Sequence, residues 1–461
     1  MMNRPVANTL MLPQGARVSI IGAARSGCAA ARFLLDRGHP VFISDSCASQ
    51  KLEATLLGAG LSAVPHESDA NTDRVLNAAV IILSPGVPSD IAVLIKARER
   101  GIPVWSEIEL TYRYSRAPIL AVTGSSGKST TTSLLGAAIA AGGRACTTAG
   151  NIGVAAIAAV PQLGPDGVAV LEVSSFQLET IDAFRPRGAA VLNIMANHLD
   201  RYRDIDEYFA AKKEIARSMT RDDFMVLNAK DDRLAAWARG LGARLRVIWF
   251  GARREKGECA WVDNTVLRCD IGGRDAAVLD VREMMICGPH NYQNAAAAAA
   301  MAIAFGTDPS AAARGIASFP GLRHRLEFAG EAKGVRYYND SKSTTAESVL
   351  CAVTAFGDNV HLIAGGRDKG CDFAVVSSAV KRHVRKVYLI GEAADRMTLV
   401  WHGAAEIEKY RSLEEALGAA AGNAKKGDVV VLSPGCSSFD MFTDYEHRGN
   451  VFKELVHALA G

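Results

Sequence analysis

Cysteine is sparse and unpatterned in this chain: nine residues, an odd number, with no Cys-x-x-Cys pair. That excludes a disulfide framework and a cysteine-based zinc site, and it fits a reducing compartment. Long apolar runs are missing too. No stretch reaches the roughly eighteen residues that a membrane helix needs, and the tract Ala295–Ala300 reads as a helix interior. Charge of one sign is not concentrated either. Lys and Arg number 52 against 49 Asp and Glu, a net charge of +3, without long basic blocks. Nothing there argues for nucleic acid or for a membrane surface. Arg4 is followed only by a short mixed stretch from Pro5 to Pro13, which is no signal-peptide core. We therefore expect a cytoplasmic protein that binds no nucleic acid and inserts into no membrane.

What is present is an ordinary globular composition, 49% hydrophobic and 22% charged over 461 residues. Two to four domains follow at roughly 150 residues each. The most informative stretch runs from Ile119 to Thr132, ILAVTGSSGKSTTT. Its apolar start suits a buried strand. Two glycines, Lys128 and a helix-like pattern follow, with Leu134, Leu135, Ala138 and Ile139 on one face. Strand, glycine turn and helix start form a phosphate cradle, where backbone N–H groups and the helix dipole face the anion. Lys128 would add a point charge on the outer phosphates, and Ser129 or Thr130 a hydroxyl for Mg²⁺. The spacing is short: Gly124 and Gly127 have two residues between them, where the common P-loop has four before its Gly-Lys.

Upstream, Arg17–Ile21 reads as a strand entering Gly22-Ala23-Ala24-Arg25-Ser26-Gly27 and an alanine-rich helix. This is a G-x-A-x-x-G variant of the dinucleotide fingerprint. A second strand, Val41–Ser44, ends at Asp45, where such folds hold a nucleoside group. Val80–Leu83 ends at the turn Ser84-Pro85-Gly86, and Ile102–Trp105 completes the domain. A dehydrogenase would share the fingerprint, but Ala24 and the phosphate loop count against it.

Downstream, Val168–Leu171 delivers Glu172, the position of a metal-holding acid in NTPases. Ala189–Asn193 leads to Asn197-His198-Leu199-Asp200-Arg201-Tyr202 and to a helix carrying Tyr208 and Lys212. The turn-rich segment from Gly257 to Val281 reads as a small β insertion. Asn291 and Asn294 open an alanine-rich helix, where they would cap it or read an adenine edge. After Phe319-Pro320-Gly321-Leu322 a third alternating region begins. Its strands near Val335–Tyr338, Val360–Ile363, Val387–Ile390 and Val429–Leu432 end in polar loops. Polar loops at strand ends make one sheet edge the expected site.

These motifs stand in a fixed order: TGSSGKSTT (123–131), GNIG (150–153), LEVSSFQLE (171–179), NHLDRY (197–202), YFAAK (208–212), HNYQNAAAA (290–298), GLRHRLE (321–327), NDSKSTT (339–345), GGRDKGCDF (365–373) and SPGCSSFD (433–440). The set covers nearly the whole chain and resembles the Mur ligase family, the ATP-dependent amide-forming enzymes of peptidoglycan precursor synthesis. The last two stretches point to the branch that adds D-glutamate. The Asp-Asn-Pro-Arg motif of the diaminopimelate- or lysine-adding relatives does not occur.

The resemblance implies an α/β protein of three domains. A Rossmann-like N-terminal domain (1–106) would bind the UDP-substrate. A central P-loop ATPase-like domain (107–321) would bind ATP, and a Rossmann-like C-terminal domain (322–461) the amino acid. The substrates would be UDP-N-acetylmuramoyl-L-alanine, D-glutamate and ATP with Mg²⁺, and a monomer is expected. Gly124, Ser125, Ser126, Gly127, Lys128, Ser129 and Thr130 would hold phosphate, and Asn291 and Asn294 the adenine side. Arg325 and Asp340 would reach ATP from the third domain. Ser129 and Thr130 would hold Mg²⁺ and phosphate oxygens, Glu172 and His198 a second Mg²⁺, and a carbamylated Lys212 would support the metal, with Lys213 as a rival for the carbamate. Ser26, Asp45, Ser46, Ser84, Gly86 and Asn151 match the UDP-substrate contacts. Lys342, Thr344, Lys369, Ser438, Phe439 and Tyr445 match the D-glutamate contacts. Asn197 stands where the family has Asp, so that role would be weakened or moved to Asp200.

Overall fold

The computed structural model describes residues 11–195, 197–198, 201–242, 244–255, 257–368 and 370–460. Lys369 and Asp200 lie outside the described residues. The chain divides into two compact units, one of residues 1–281 and 293–317, the other of residues 282–292 and 318–461. The fold is three-domain α/β: the first unit holds two sheets and the second holds one.

The N-terminal sheet is all parallel, in the order His66–Glu67, Val41–Ser44, Val18–Ile21, Val80–Leu83, Val104–Ser106. Its three central strands are buried along their whole length. That is why they read as unbroken apolar runs. Strand order reverses beside Val18–Ile21. A crevice therefore opens beyond its carboxyl end, where ligands collect in such sheets.

The central sheet has nine strands. Ile119–Thr123 lies between Val168–Glu172 and Gly188–Val191, with Cys146–Gly150 at the edge beyond Val168–Glu172. Register pairs Val122 with Glu172, Thr123 with Val191 and Gly150 with Glu172, so these strand ends share one edge. On the other side Phe224–Asn228 and Arg246–Phe250 continue the parallel run. The β insertion expected over Gly257–Val281 is an extension of this sheet. It adds Glu258–Asp263, Val266–Ile271 and Arg274–Asp280, the last two antiparallel to their neighbours.

The six-stranded sheet of the second unit runs Glu327–Ala332, Val335–Asn339, Val429–Leu432, Val360–Gly365, Val384–Ile390, Glu406–Lys409. Only its first pair is antiparallel. Among the described residues no helix is long and apolar enough to cross a membrane. The alanine tract lies inside the helix Pro289–Ala304, with every residue from Ala295 to Ala302 at 0% exposure.

Candidate active site

The buried strand Ile119–Thr123 delivers the glycine loop, and the helix Lys128–Ala141 leaves it. Gly124 (φ +147°) and Gly127 (φ +81°) adopt conformations that side chains rarely take. Gly127 is needed for space as well: a Cβ there would lie 2.4 Å from Asn294 Oδ1. The N–H groups of Ser125 and Ser126 donate to Asn193 Oδ1 at 3.1 and 2.9 Å, which sets the loop against the neighbouring strand. Lys128 Nζ lies across the loop and donates to the carbonyls of Gly124 and Ser125, both at 3.0 Å. Ser129 is half-buried and Thr130 buried, in the first helical turn.

Glu172, 2% exposed, ends the strand beside the loop. Its Oε1 accepts from Asn151 Nδ2 at 2.8 Å. Its Oε2 is buried and has no hydrogen-bond partner among the described residues. A buried orphan oxygen on a carboxylate is costly unless a cation satisfies it. No three His, Cys, Asp or Glu side chains gather as a metal set among the described residues. A divalent ion here would thus draw on Glu172 together with hydroxyl, phosphate or modified side-chain oxygens.

Lys212 is 1% exposed, and its Nζ donates to Thr123 Oγ1 at 3.3 Å and sits 4.6 Å from the Tyr208 ring centre. Burial, reinforced by the charge of Lys128, pushes its ammonium well below the ordinary lysine value, with Glu172 opposing. The buried ammonium of Lys212 is thereby disfavoured relative to an ordinary lysine. Lys213 is only half-buried, over the Phe209 ring. His198 is exposed, with φ +56°, and its ring meets Phe176 edge-on at 4.9 Å. Its N–H donates to Asn197 Oδ1 at 2.9 Å, so Asn197 serves this turn.

At the N-terminal crevice the fingerprint loop is stitched to its own sheet. Ser84 Oγ donates to Gly22 O at 2.7 Å. Asp45 accepts from Ala23 N–H at 2.6 Å and Cys47 N–H at 2.9 Å. Burial works to raise the Asp45 pKa, yet these N–H groups hold it below the usual carboxylate value. Ser26 is half-buried, and Ser46 and Gly86 are exposed. Arg201 ties the Ser84 turn to the His198 turn. Its guanidinium donates to Pro85 O at 3.0 Å, pairs with Glu179 at 3.0 Å and covers the Phe176 ring at 4.1 Å. Both residues lie inside the motifs LEVSSFQLE and NHLDRY, but nothing in the sequence pairs Arg201 with Glu179 or with the Ser84 turn.

The opening of the helix Pro289–Ala304 splits the two asparagines. Asn291 Nδ2 turns back to Cys287 O at 2.7 Å, and Asn294 Oδ1 accepts from Thr131 Oγ1 at 3.2 Å. Asn294 therefore steadies the phosphate loop itself.

In the second unit Asp340, 5% exposed, accepts from Leu326 N–H at 3.1 Å and Ser433 Oγ at 2.8 Å. Burial pushes its carboxyl up to about 6, with the Arg325 charge among the opposing effects. The turn that presents Arg325 is held open by positive φ at His324 (+60°) and Leu326 (+43°). Lys342 Nζ lies 5.5 Å from the Tyr445 ring centre. Thr344 is half-buried, Ser438 is buried and Phe439 is exposed. Sequence reasoning missed Arg448. It is 1% exposed and donates to Ser341 Oγ (2.9 Å), Ser341 O (2.8 Å) and Cys436 O (3.1 Å). One guanidinium thus pins two of the polar loops that carry this edge. In sequence it is one more basic residue on an amphipathic helix.

Residues 16–106 match the N-terminal domain of MurD-like Mur ligases, 122–302 the Mur ligase middle domain, and 324–436 the Mur ligase glutamate ligase domain. The chain is 39% identical over 452 residues to a UDP-N-acetylmuramoylalanine--D-glutamate ligase from Koribacter versatilis, covering 97% of this chain and 98% of that one. It is 40% identical over 451 residues to a protein of the same name from Geotalea daltonii, at 97% and 98% coverage. Among solved structures it is similar to MurF ligase from Thermotoga maritima in complex with ADP (TM-score 0.61, 16% identity, 91% of this chain and 95% of that one). It is likewise similar to a UDP-N-acetylmuramate-alanine ligase from the same organism (TM-score 0.58, 18% identity, 96% and 99%). By all three of its domains and by near full-length identity, the chain belongs to the Mur ligase family.

Proposed function

We propose that this chain is a cytoplasmic, ATP-dependent ligase that joins D-glutamate to UDP-N-acetylmuramoyl-L-alanine in peptidoglycan precursor synthesis. One observation carries the chemistry: Lys128, the open oxygen of Glu172 and the buried amine of Lys212 stand at the ends of neighbouring strands of one sheet. The near full-length relatives named as D-glutamate ligases support the choice of amino acid.

A carboxylate is a poor acyl donor. The alanyl carboxylate attacks the γ-phosphorus of ATP, the bond to the β-bridging oxygen breaks, and an acyl phosphate and ADP result. The amine of D-glutamate, having lost a proton, attacks the acyl carbon. The tetrahedral intermediate collapses to the amide and expels phosphate. The protein contributes mostly position and charge. Lys128 neutralises the transferred phosphate, supported by Gly124, Ser125, Ser126, Gly127, Ser129 and Thr130. A lysine whose ammonium is disfavoured by burial gives up a proton more readily; its amine can then add to CO₂ with loss of a second proton, so that Lys212 becomes a carbamate. Ser129, and for a second ion Glu172, His198 and that carbamate, would hold Mg²⁺, which would supply charge neutralisation for the transferred phosphate.

Residues 1–106 receive the UDP-substrate through Ser26, Asp45, Ser46, Ser84, Gly86 and Asn151. Residues 107–321 hold ATP, with Asn291 and Asn294 on the adenine side, and residues 322–461 supply Arg325 and Asp340. D-Glutamate is held by Lys342, Thr344, Lys369, Ser438, Phe439 and Tyr445, a cationic and hydroxyl-rich set suited to two carboxylates. The working form is a monomer.

The test is phosphate release from ATP, which we expect only with UDP-N-acetylmuramoyl-L-alanine and D-glutamate together. Equal turnover with L-lysine, diaminopimelate or L-alanine in place of D-glutamate would sink the assignment.

A further inference from the structure

Arg25 is the first residue of the helix Arg25–Leu35, directly after the fingerprint loop. Its guanidinium leaves its own sheet. Nη1 donates to Gly153 O at 2.5 Å and Nη2 to Gly150 O at 3.2 Å. These carbonyls bracket the turn after the edge strand of the central sheet. Both glycines have positive φ, +100° and +61°. The turn is closed by Gly150 N–H donating to Val154 O at 3.0 Å. Between the glycines sits Asn151, which grips Glu172 twice. Its N–H donates to Glu172 O at 3.0 Å and its Nδ2 to Oε1 at 2.8 Å. Gly150 approaches so closely that a Cβ would lie 2.5 Å from Glu172 O. The contacts therefore run unbroken from the first loop of the N-terminal domain to the carboxylate whose other oxygen is left open. A guanidinium suits this task because its rigid fork reaches two carbonyls at once.

We propose that Arg25 is a positioning residue. It sets the Glu172 carboxylate for a divalent cation by holding the turn Gly150–Gly153 and, through it, Asn151. The loop that receives the UDP-linked substrate and the oxygen that receives the metal are then built as one piece. The inference rests on the reading above that Glu172 helps to hold Mg²⁺. Without the fork the turn loses its tie to the N-terminal loop and keeps its internal bond and the two bonds of Asn151 to Glu172, so the carboxylate is held less firmly at its set angle. Outer-shell partners of this kind are commonly worth about tenfold or more in metal affinity.

The test is calorimetric binding of ADP by the full chain across a Mg²⁺ series, without the other substrates. Four variants are compared with the unaltered chain: Arg25→Ala, Arg25→Lys, Asn151→Ala and the double Arg25→Ala/Asn151→Ala. Arg25→Ala is expected to raise the Mg²⁺ needed for half-maximal ADP binding about tenfold. Arg25→Lys should recover part of this, since an ammonium can reach one carbonyl. The double variant should be no weaker than Asn151→Ala alone, because both act through one chain of contacts. Unchanged Mg²⁺ dependence in Arg25→Ala overturns the proposal, as do losses that simply add in the double variant. ADP binding that ignores Mg²⁺ in the unaltered chain overturns the reading of Glu172 and the proposal together.

Discussion

Two glycine turns in this molecule follow a buried parallel strand and open a helix, yet they are wired with opposite charge. At the first, Asp45 takes the Ala23 N–H and Ser84 takes the Gly22 carbonyl. At the second, neutral Asn193 takes the Ser125 and Ser126 N–H groups, and Lys128 crosses the loop. An anion already seated on the first turn disfavours a phosphate in the same place, while the cation on the second invites one. Under the proposed function the same backbone device would serve a nucleoside-type contact in one domain and phosphate chemistry in the next. The side chain that closes the turn decides which.

The sharpest way to break the comparison is Lys128→Ala. Phosphate release should fall by about a hundredfold or more, the scale of losing one preorganised charge at the reacting group. Full activity would show that the loop's charge is irrelevant. Next in size, Gly127→Ala should cost about 1–3 kcal/mol of stability in urea unfolding, since φ is +81° and the Cβ would meet Asn294. Full stability would show that the loop has slack. Asp45→Ala should raise the KM for the UDP-substrate severalfold while leaving ADP affinity in place. Equal damage to both would merge the two turns into one function.

Asp45 also predicts a sign. Its folded pKa lies below the usual 3.8. Its contribution is therefore present above that value and is lost as pH falls through the folded pKa. Acid unfolding below about pH 4 should be less steep in Asp45→Asn.

The smallest expected effect runs the other way. Lys212 has a folded pKa below its ordinary 10.5. Between the two values the unfolded chain binds more protons, so stability rises with pH across that window. At neutral pH the unmodified side chain is a burden. Lys212→Met should therefore raise the midpoint of urea unfolding, by about 1 kcal/mol in stability, while turnover is lost. A less stable Lys212→Met variant would place the stabilising role above the chemical one.

Legibility followed burial. Ile119–Thr123, Val168–Glu172 and Val80–Leu83 are buried throughout and announce themselves as apolar runs. The edge strands Cys146–Gly150 and Glu406–Lys409 carry polar side chains on open faces and give no such signal. Glu172 and Lys128 were legible because each follows an apolar strand at the edge where ligands collect. Lys212 was legible only through family likeness. Its burial comes from Tyr208 and the end of Ile119–Thr123, a contact 89 residues away in sequence. Arg448 looked ordinary for the same reason: its partners lie on loops that reach it only in the folded domain.

The alanine helix has a consequence for how the chain tolerates change. From Ala295 to Ala302 every side chain is at 0% exposure, and none but Met301 is longer than a methyl group. A tract of methyl side chains at 0% exposure leaves little flexible side chain to absorb a shift. A single ethyl-sized addition there acts as a shim under the whole rod. Saturation mutagenesis should accordingly find a silent zone of intolerance running the length of the tract, among residues that touch no ligand.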